Sequence, residues 1–345
     1  MLLDPLPAEE PALPLAATEF EQLAVMRGLE TATALAVALS GGADSLALCA
    51  LLADWCAVRH IPLHAIVVDH ALRPESAEEA QSVAEIVRTR FPGVVPVILR
   101  RDPETISSTR LQEAARHDRY QLMGDYCERH HIRHLCLAHH QNDQAETFLF
   151  RLAKGSGIDG LAGMRPVVRA PGRDLVYLRP CLDLPKERLV ATCRARGLVF
   201  VNDPSNESDR FARVRIRQWL AGLADEGLTI RRLSVTAQRL ERAVCALDAI
   251  TTQIWQQACV LATEDELVFD LAVLAHQPED IRVRLLLRAL QQLGGVVGYP
   301  PRLEQVEALQ QLIFDKTGFT RTTLHHCLIE KSEARQTLRV YRENS

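Results

Sequence analysis

No apolar run in this chain approaches the roughly 18 residues needed to cross a bilayer. The stretch Leu-Ala-Leu-Cys-Ala-Leu-Leu-Ala-Asp-Trp at 46–55 is short and interrupted by Asp54, so a membrane span is excluded. Basic residues are absent before Arg27, where Asp4, Glu9 and Glu10 stand among prolines 5, 7, 11 and 14. That beginning lacks the positive segment of a signal peptide, and a cytoplasmic location is expected. The nine cysteines are an odd number with no C-x-x-C spacing. This argues against a disulfide framework, a zinc ribbon or an iron–sulfur cluster and leaves most of them as small buried hydrophobes. Lysine occurs only at 154, 186, 316 and 331, so the basic charge is almost all arginine. A net charge of -4 counts against general nucleic-acid binding, but unevenly placed arginines can hide a patch inside that average.

The remainder has the balance of a folded globular protein, 47% hydrophobic and 24% charged. Its length allows about two or three domains. Residues 1–27 read as a Pro/Ala-rich flexible tail with at most one short helix near 19–29. Buried strands are expected at 35–40, 64–70, 94–100 and 134–140, with amphipathic helices between them. That alternation implies an α/β domain on a parallel sheet with right-handed crossovers, over about 28–215. A shorter unit, a strand at 176–182 and a helix at about 185–196, finishes it near Asn202-Asp203-Pro204-Ser205-Asn206. Beyond it, residues 216–345 read as a smaller, mainly helical domain. Helices are expected at about 210–224, 230–260, 279–293 and 301–314, with strands at 267–271 and a terminal pair at 320–329 and 336–341.

The strongest motif is Ser40-Gly41-Gly42-Ala43-Asp44-Ser45, between a buried strand and an apolar helix. Paired glycines let backbone N–H groups approach an anion, and the helix N-terminus favours negative charge there. Ser40 and Ser45 can add hydroxyl donors. Asp44 would repel a bare phosphate and therefore suggests a magnesium bridge. The loop is neither a Walker loop, since no G-K-[ST] follows, nor a G-x-G-x-x-G turn. A Gly-Gly turn with Ser and Asp as helix caps is the simpler alternative.

Ligands of open parallel sheets sit at the carboxyl ends of strands. At the second strand's end, Asp69 and His70 could face an adenosine and Arg73 a phosphate; alternatively Ser76 caps the next helix with Glu79 completing a capping box. At the fourth, His139, Asp143 and Glu146 stand at i, i+4 and i+7, on one helix face. The spacing is a poor fit to zinc and a better fit to a carboxylate pair facing a cationic substrate, or simply to the helix dipole. Arg116, one turn from Tyr120, could reach a triphosphate or form a salt bridge with Glu113.

The Ser40–Ser45 run resembles the pyrophosphate loop of the N-type ATP pyrophosphatases. With Asp69-His70-Ala71-Leu72-Arg73-Pro74-Glu75-Ser76, Arg116-x-x-Arg119-Tyr120, His139-His140-x-x-Asp143-Gln144-Ala145-Glu146-Thr147, Gly155-Ser156-Gly157-Ile158-Asp159-Gly160-Leu161, Arg179-Pro180 and Asp203-Pro204-Ser205-Asn206, in that order, the chain is similar to the tRNA(Ile)-lysidine synthetases. The likeness is dense over roughly 35–220 and thin afterwards. The family's usual Arg-Asn-Arg-Ile-Arg stands here as Arg213-Val214-Arg215-Ile216-Arg217. The chain ends after a candidate strand pair, so the further C-terminal domain of longer members is expected to be absent.

The resemblance implies an adenine-nucleotide α-hydrolase-like (PP-loop) fold and an ATP-dependent ligase forming a carbon–nitrogen bond. Such an enzyme joins free L-lysine to the wobble cytidine of the CAU anticodon of tRNA(Ile) through an adenylylated cytidine, with ATP cleaved to AMP and pyrophosphate. The lysidine formed moves the codon read from AUG to AUA and the identity from Met to Ile. Ser40, Gly41, Gly42, Ala43, Asp44, Ser45, Asp69 and His70 would hold the nucleotide. Asp44 and Asp143 would hold Mg2+, and Arg116 would offset developing charge. His139, Asp143 and Glu146 would bind lysine, whose ammonium has a pKa of about 10.4 and must lose a proton before it attacks. Arg213, Arg215, Arg217, Arg231 and Arg232 would meet tRNA, unless they are a solvated helix face. No membrane partner is expected, and a homodimer is left open. A tRNA thiolase would need reactive cysteines or a cluster, a metabolite-amidating synthetase an ammonia source, and a non-catalytic RNA-binding protein would consume no ATP.

Overall fold

The computed structural model describes residues 12–69, 71, 75–102, 111–200, 212–294 and 301–343, with the backbone alone at 111–115, 212–214 and 221. The described residues form two compact units: one reaches Gln238 and excludes Gly157–Asp159, and the other holds those three residues and everything from Arg239 onward. His70, Arg73 and Asn202-Asp203-Pro204-Ser205-Asn206 lie outside the described residues, as do the side chains of Arg213 and Glu113.

The first unit opens with α1 (Ala17–Met26), followed by β1 (Leu35–Leu39), α2 (Ala43–Arg59), β2 (Leu63–Asp69), α3 (Ser76–Arg90), β3 (Val94–Arg100), α4 (Leu111–Arg129), β4 (His134–Cys136) and α5 (Gln141–Leu152). After α6 (Ile158–Leu161) come β5 (Val167–Arg169), β6 (Val176–Leu178), α7 (Lys186–Ala195) and α8 (Ala212–Leu223). The strands form one sheet in the order β3-β2-β1-β4-β6-β5. All neighbours are parallel except the edge pair β5/β6. Side chains alternate across a strand, and here both faces of β1 are covered: Leu35, Val37 and Leu39 join a cluster with Leu46, Leu52, Val83 and Leu189, while Ala36 joins Ile66, Met123 and Leu135 on the other side. A strand buried on both sides reads as a continuous apolar run, which is why 35–39 was legible.

Four expectations are corrected. The tail reaching residue 27 is not loose over its described part, because α1 buries Phe20 and Ala24 in the core. β4 stops at Cys136, after which Leu137 N–H donates to Leu178 O (2.8 Å) and the chain leaves the ladder towards α5. The sheet also carries an antiparallel edge strand that the βα alternation did not announce. Compactness changes at Gln238 rather than at 215, because α8 buries Ile216 and Leu220 and packs on α5.

The second unit contains the end of α9 (Ile230–Ala258), then β7 (Cys259–Ala262), β8 (Glu266–Asp270), α10 (Leu271–Ala275), α11 (Glu279–Gly294), α12 (Leu303–Phe314), β9 (Arg321–Leu324), β10 (Cys327–Ser332) and β11 (Thr337–Arg342). Besides the expected helices it holds an antiparallel sheet in the order β7-β8-β11-β10-β9. Its core joins Leu286, Leu290 and Leu293 of α11 to Ile313, Ile329, Leu338 and Val340. The single strand expected at 320–329 is two strands, because His325 and His326 turn the chain at φ 50° and 58°.

Candidate active site

Strand order reverses between β1 and β4, which are neighbours although not consecutive, so their carboxyl ends open the crevice where ligands of such sheets bind. From β1 emerges the Ser40–Ser45 loop, and from β4 the segment leading to His140 and α5.

Gly41 has φ +81°, and a Cβ there would lie 2.7 Å from Val83 Cγ2, so neither the backbone nor the space admits a side chain. Gly42 precedes the first turn of α2. The Ser45 hydroxyl donates to Gly42 O (3.0 Å) and accepts the Ser40 N–H (3.2 Å), which fixes the loop's shape from inside; Ser45 is buried and Ser40 exposed. The Ser40 hydroxyl also lies 3.2 Å from the Ser45 hydroxyl, so both side chains take part in holding the turn.

His140, not His139, joins the acids. It caps α5: Asp143 N–H donates to its Nδ1 (3.4 Å) while its own N–H donates to Asp143 Oδ2 (3.0 Å). An accepting Nδ1 assigns the ring proton to Nε2, and Nε2 lies 3.4 Å from Asp44 Oδ2 and 3.5 Å from Asp143 Oδ2. Burial pulls this imidazole's pKa down, but the hydrogen bond to Asp44 and the charges of Asp143 and Asp44 outweigh it, and the net direction is up. His139 turns elsewhere, its Nδ1 accepting from Arg179 Nε (3.1 Å). The expected i, i+4, i+7 face fails because His139 lies before the helix begins.

Asp44 and Asp143 thus converge on one point from α2 and α5. Asp44 Oδ1 is buried without a hydrogen-bond partner, a costly state for a carboxylate oxygen unless a cation or donor is to come. Hard carboxylate oxygens in so small a number suit magnesium, which takes one or two and completes its shell from water and phosphate. Among the described residues no three His, Cys, Asp or Glu side chains form a metal cluster.

Glu146, at 2% exposure, accepts from Arg217 Nε (2.5 Å) and lies 3.5 Å from Arg217 Nη2. Burial lowers the Arg217 pKa, but the pairing with Glu146 and the charges of Asp143 and Asp44 raise it overall, so this arginine of α8 faces the acid cluster. Arg215, Arg231 and Arg232 are exposed, and Arg232 Nη1 donates to Gly227 O (2.9 Å). The Asp69 carboxylate accepts from Ala71 N–H (2.9 Å) and Ser76 Oγ (2.6 Å), holding a turn in which Ala71 has φ 51°. Ser76 therefore does not cap α3, whose cap position is Glu75 with no side-chain bond. Arg116 is exposed, with Cζ 5.3 Å from the Tyr120 ring centre. Its charge helps, after burial, to lower the pKa of Arg179.

Three contributors were given no individual role by the sequence reading. Lys186 Nζ is 4.0 Å from Asp44 Oδ2; its scarcity was the one available signal. Gln144, 1% exposed, donates to Met164 O (2.9 Å) and accepts Met164 N–H (2.7 Å). Arg179 ties His139 to Arg165 O (2.7 Å), and only its place in an Arg-Pro dipeptide marked it.

The sheet, its switch point and the glycine loop define an ATP-binding protein of the PP-loop class, and residues 14–223 match the PP-loop domain family. The chain is 39% identical over 319 residues to tRNA(Ile)-lysidine synthase of Bradyrhizobium sp. strain BTAi1, covering 89% of this chain and 86% of that one. It is 42% identical over 301 residues to tRNA(Ile)-lysidine synthase of Methylobacterium nodulans, covering 86% of each. The chain belongs to the tRNA(Ile)-lysidine synthase family. Among solved structures, the U34-tRNA thiolase NcsA from Methanococcus maripaludis, with its 4Fe-4S cluster, superposes at a TM-score of 0.53 over 65% of this chain and 77% of that one; at 16% identity the likeness is one of fold. Burial pushes the Cys49, Cys56, Cys127 and Cys181 thiols up to about 12. Among the described residues no helix is long and apolar enough to cross a membrane.

Proposed function

We propose that this chain joins L-lysine to the wobble cytidine of the CAU anticodon of tRNA(Ile), using ATP and forming lysidine. The observation that carries the reading is the meeting of Asp44 and Asp143 at His140, at the mouth of the Ser40–Ser45 loop. Oxide is a hopeless leaving group, so the cytosine carbonyl oxygen first bonds to the α-phosphorus of ATP as pyrophosphate leaves with the electron pair of the broken P–O bond. The lysine side-chain amine then adds to the ring carbon, and AMP departs with the oxygen.

Mg2+, held by Asp44 and Asp143, would neutralise phosphate charge. Ser40 and the backbone of Gly41, Gly42 and Ala43 receive the pyrophosphate, and Ser45 keeps the loop in shape. Arg116 faces charge that develops on the triphosphate. Asp69 acts on the nucleotide through its turn, and His70 stands next to it in sequence.

Lysine arrives as a cation, and a cation is no nucleophile. Glu146 and Asp143 bind the ammonium, and one of these carboxylates accepts its proton as general base so that the neutral amine can attack, with the lysine sharing Glu146 with Arg217. His139 positions Arg179 at the rim. Arg213, Arg215, Arg231 and Arg232 meet tRNA phosphates and splayed bases. The test mixes the protein with ATP, Mg2+, labelled lysine and a tRNA(Ile) transcript bearing CAU. Label on the RNA that depends on ATP and on the wobble cytidine is expected. AMP release without labelled RNA would assign another acceptor, and no AMP would leave a binding protein.

A further inference from the structure

The Ser40–Ser45 loop contains no cation. A Walker loop carries its own lysine to the β- and γ-phosphates, whereas here the sequence from Ser40 to Ser45 offers only glycines, hydroxyls and an acid. We propose that Lys186, the first residue of α7, is the missing cation: it meets the terminal phosphates of the nucleotide and offsets the charge that pyrophosphate gains on leaving. The inference rests on the function proposed above and deepens it.

The placement is built by three contacts. Cys193 Sγ of α7 donates to Ala43 O at the start of α2 (3.1 Å), Lys186 N–H donates to Asn142 Oδ1 of α5 (3.3 Å), and Gln141 N–H donates to Leu184 O (2.9 Å). The start of α7 is thereby tied to α5, and its last turns to α2, the two elements that deliver Asp143 and Asp44. The two cationic groups recorded within 4.0 Å of Asp44 are His140 and Lys186, and Lys186 also lowers the pKa of His140.

The pairing itself is loose. Nζ stands 4.0 Å from Asp44 Oδ2, beyond hydrogen-bond distance, and the side chain is 44% exposed. A pair of that kind contributes little to stability, so the ammonium keeps its three donors for a ligand. A divalent cation shared by Asp44 and Asp143 would cancel the charge that now attracts Lys186 and leave phosphate oxygens as its partner. As the bond from the α-phosphorus to the leaving oxygen breaks, its electron pair goes to pyrophosphate. Lys186 answers that charge by hydrogen bonding.

Lys186→Ala and Lys186→Arg in the full chain test this by calorimetric titration with inorganic pyrophosphate in the presence of Mg2+, alongside steady-state kinetics. Loss of a charge-assisted bond should weaken pyrophosphate binding about tenfold or more in Lys186→Ala. kcat should fall, with the KM for lysine unchanged, and Lys186→Arg should recover most of the affinity. Wild-type affinity for pyrophosphate in Lys186→Ala would overturn the inference, as would equal loss in both variants or a change confined to the KM for lysine. If Lys186→Ala does not fold, Lys186→Arg against wild type carries the test, since a near-complete loss there excludes a role for positive charge alone. Wild-type protein that binds no pyrophosphate would remove the reading of the loop, and that failure shows before any variant is compared.

Discussion

Glu146 shows how a single buried carboxylate is made tolerable. An isolated charge at 2% exposure is costly, and Arg217 meets it across α5 and α8. Glu146→Gln keeps the shape and removes the charge. The KM for lysine should rise about tenfold or more, because a charge-assisted bond is lost, and turnover should fall; labelled-lysine kinetics check both, and unchanged constants would remove Glu146 from the lysine site. Gly41 is constrained differently, by its φ of +81° and by Val83. Gly41→Ala should destabilise the fold by about 1–3 kcal/mol and impair ATP binding together, read from urea denaturation and nucleotide titration. The two residues also differ in legibility. Gly41 announced itself through its motif, whereas the Arg217–Glu146 pair joins residues 71 apart in sequence and nothing local in either segment specifies it.

At the scale of elements, the site depends on how α5 begins and on what its inner face holds. His140 and Asp143 cap the helix reciprocally, so one pair of side chains both starts α5 and brings an acid to Asp44. One turn further in, Gln144 bridges the N–H and C=O of Met164, and Arg151 Nη1 donates to Gly160 O and Gly163 O (2.8 Å each). Together they fasten the segment after α5 to the helix. Gln144→Leu leaves two buried backbone groups unpaired at about 1–3 kcal/mol each. A fall in unfolding free energy of that summed order is expected by chemical denaturation, and a change below about 0.5 kcal/mol would show that water replaces the amide. Helix and strand positions were legible where periodicity was strong: β1 and β3 as apolar runs, α11 and α12 as amphipathic stretches. Endings were not. β4 ends at Cys136, and the 320–329 segment turns at His325 and His326; the first is set by a pairing partner distant in sequence, the second by backbone torsions that this residue type rarely adopts.

At the scale of the whole molecule, titration links the scaffold to stability. Burial, then the charge of His130, lowers the pKa of His64; burial, then Arg133, lowers that of His134. Both stand in or beside strands of the first unit's sheet. Their folded pKa lies below the unfolded value of about 6.5, so the unfolded chain binds more protons as pH falls through that value. Their contribution is fully present above about pH 6.5 and declines below it. His140 has the opposite sign, so the difference between chain and variant is the clean quantity. His64→Asn should make the loss of stability between about pH 7.5 and about pH 5.5 smaller than in the parent chain, measured by urea midpoints. An equal loss in both would show that His64 does not contribute.

The sequence by itself determined the alternation of strands and helices, the glycine loop and the acids of α5, because hydrophobic periodicity and backbone torsion are local and act through neighbours in the chain. Only the tertiary structure decided that His140 rather than His139 faces Asp44, that Asp69 holds a turn, that Glu146 is paired with Arg217, and that Lys186 stands beside Asp44. Each of these is a choice among polar partners. Hydrogen bonds and charges select by distance and direction, and those exist only once the strands have set their order and the helices have packed.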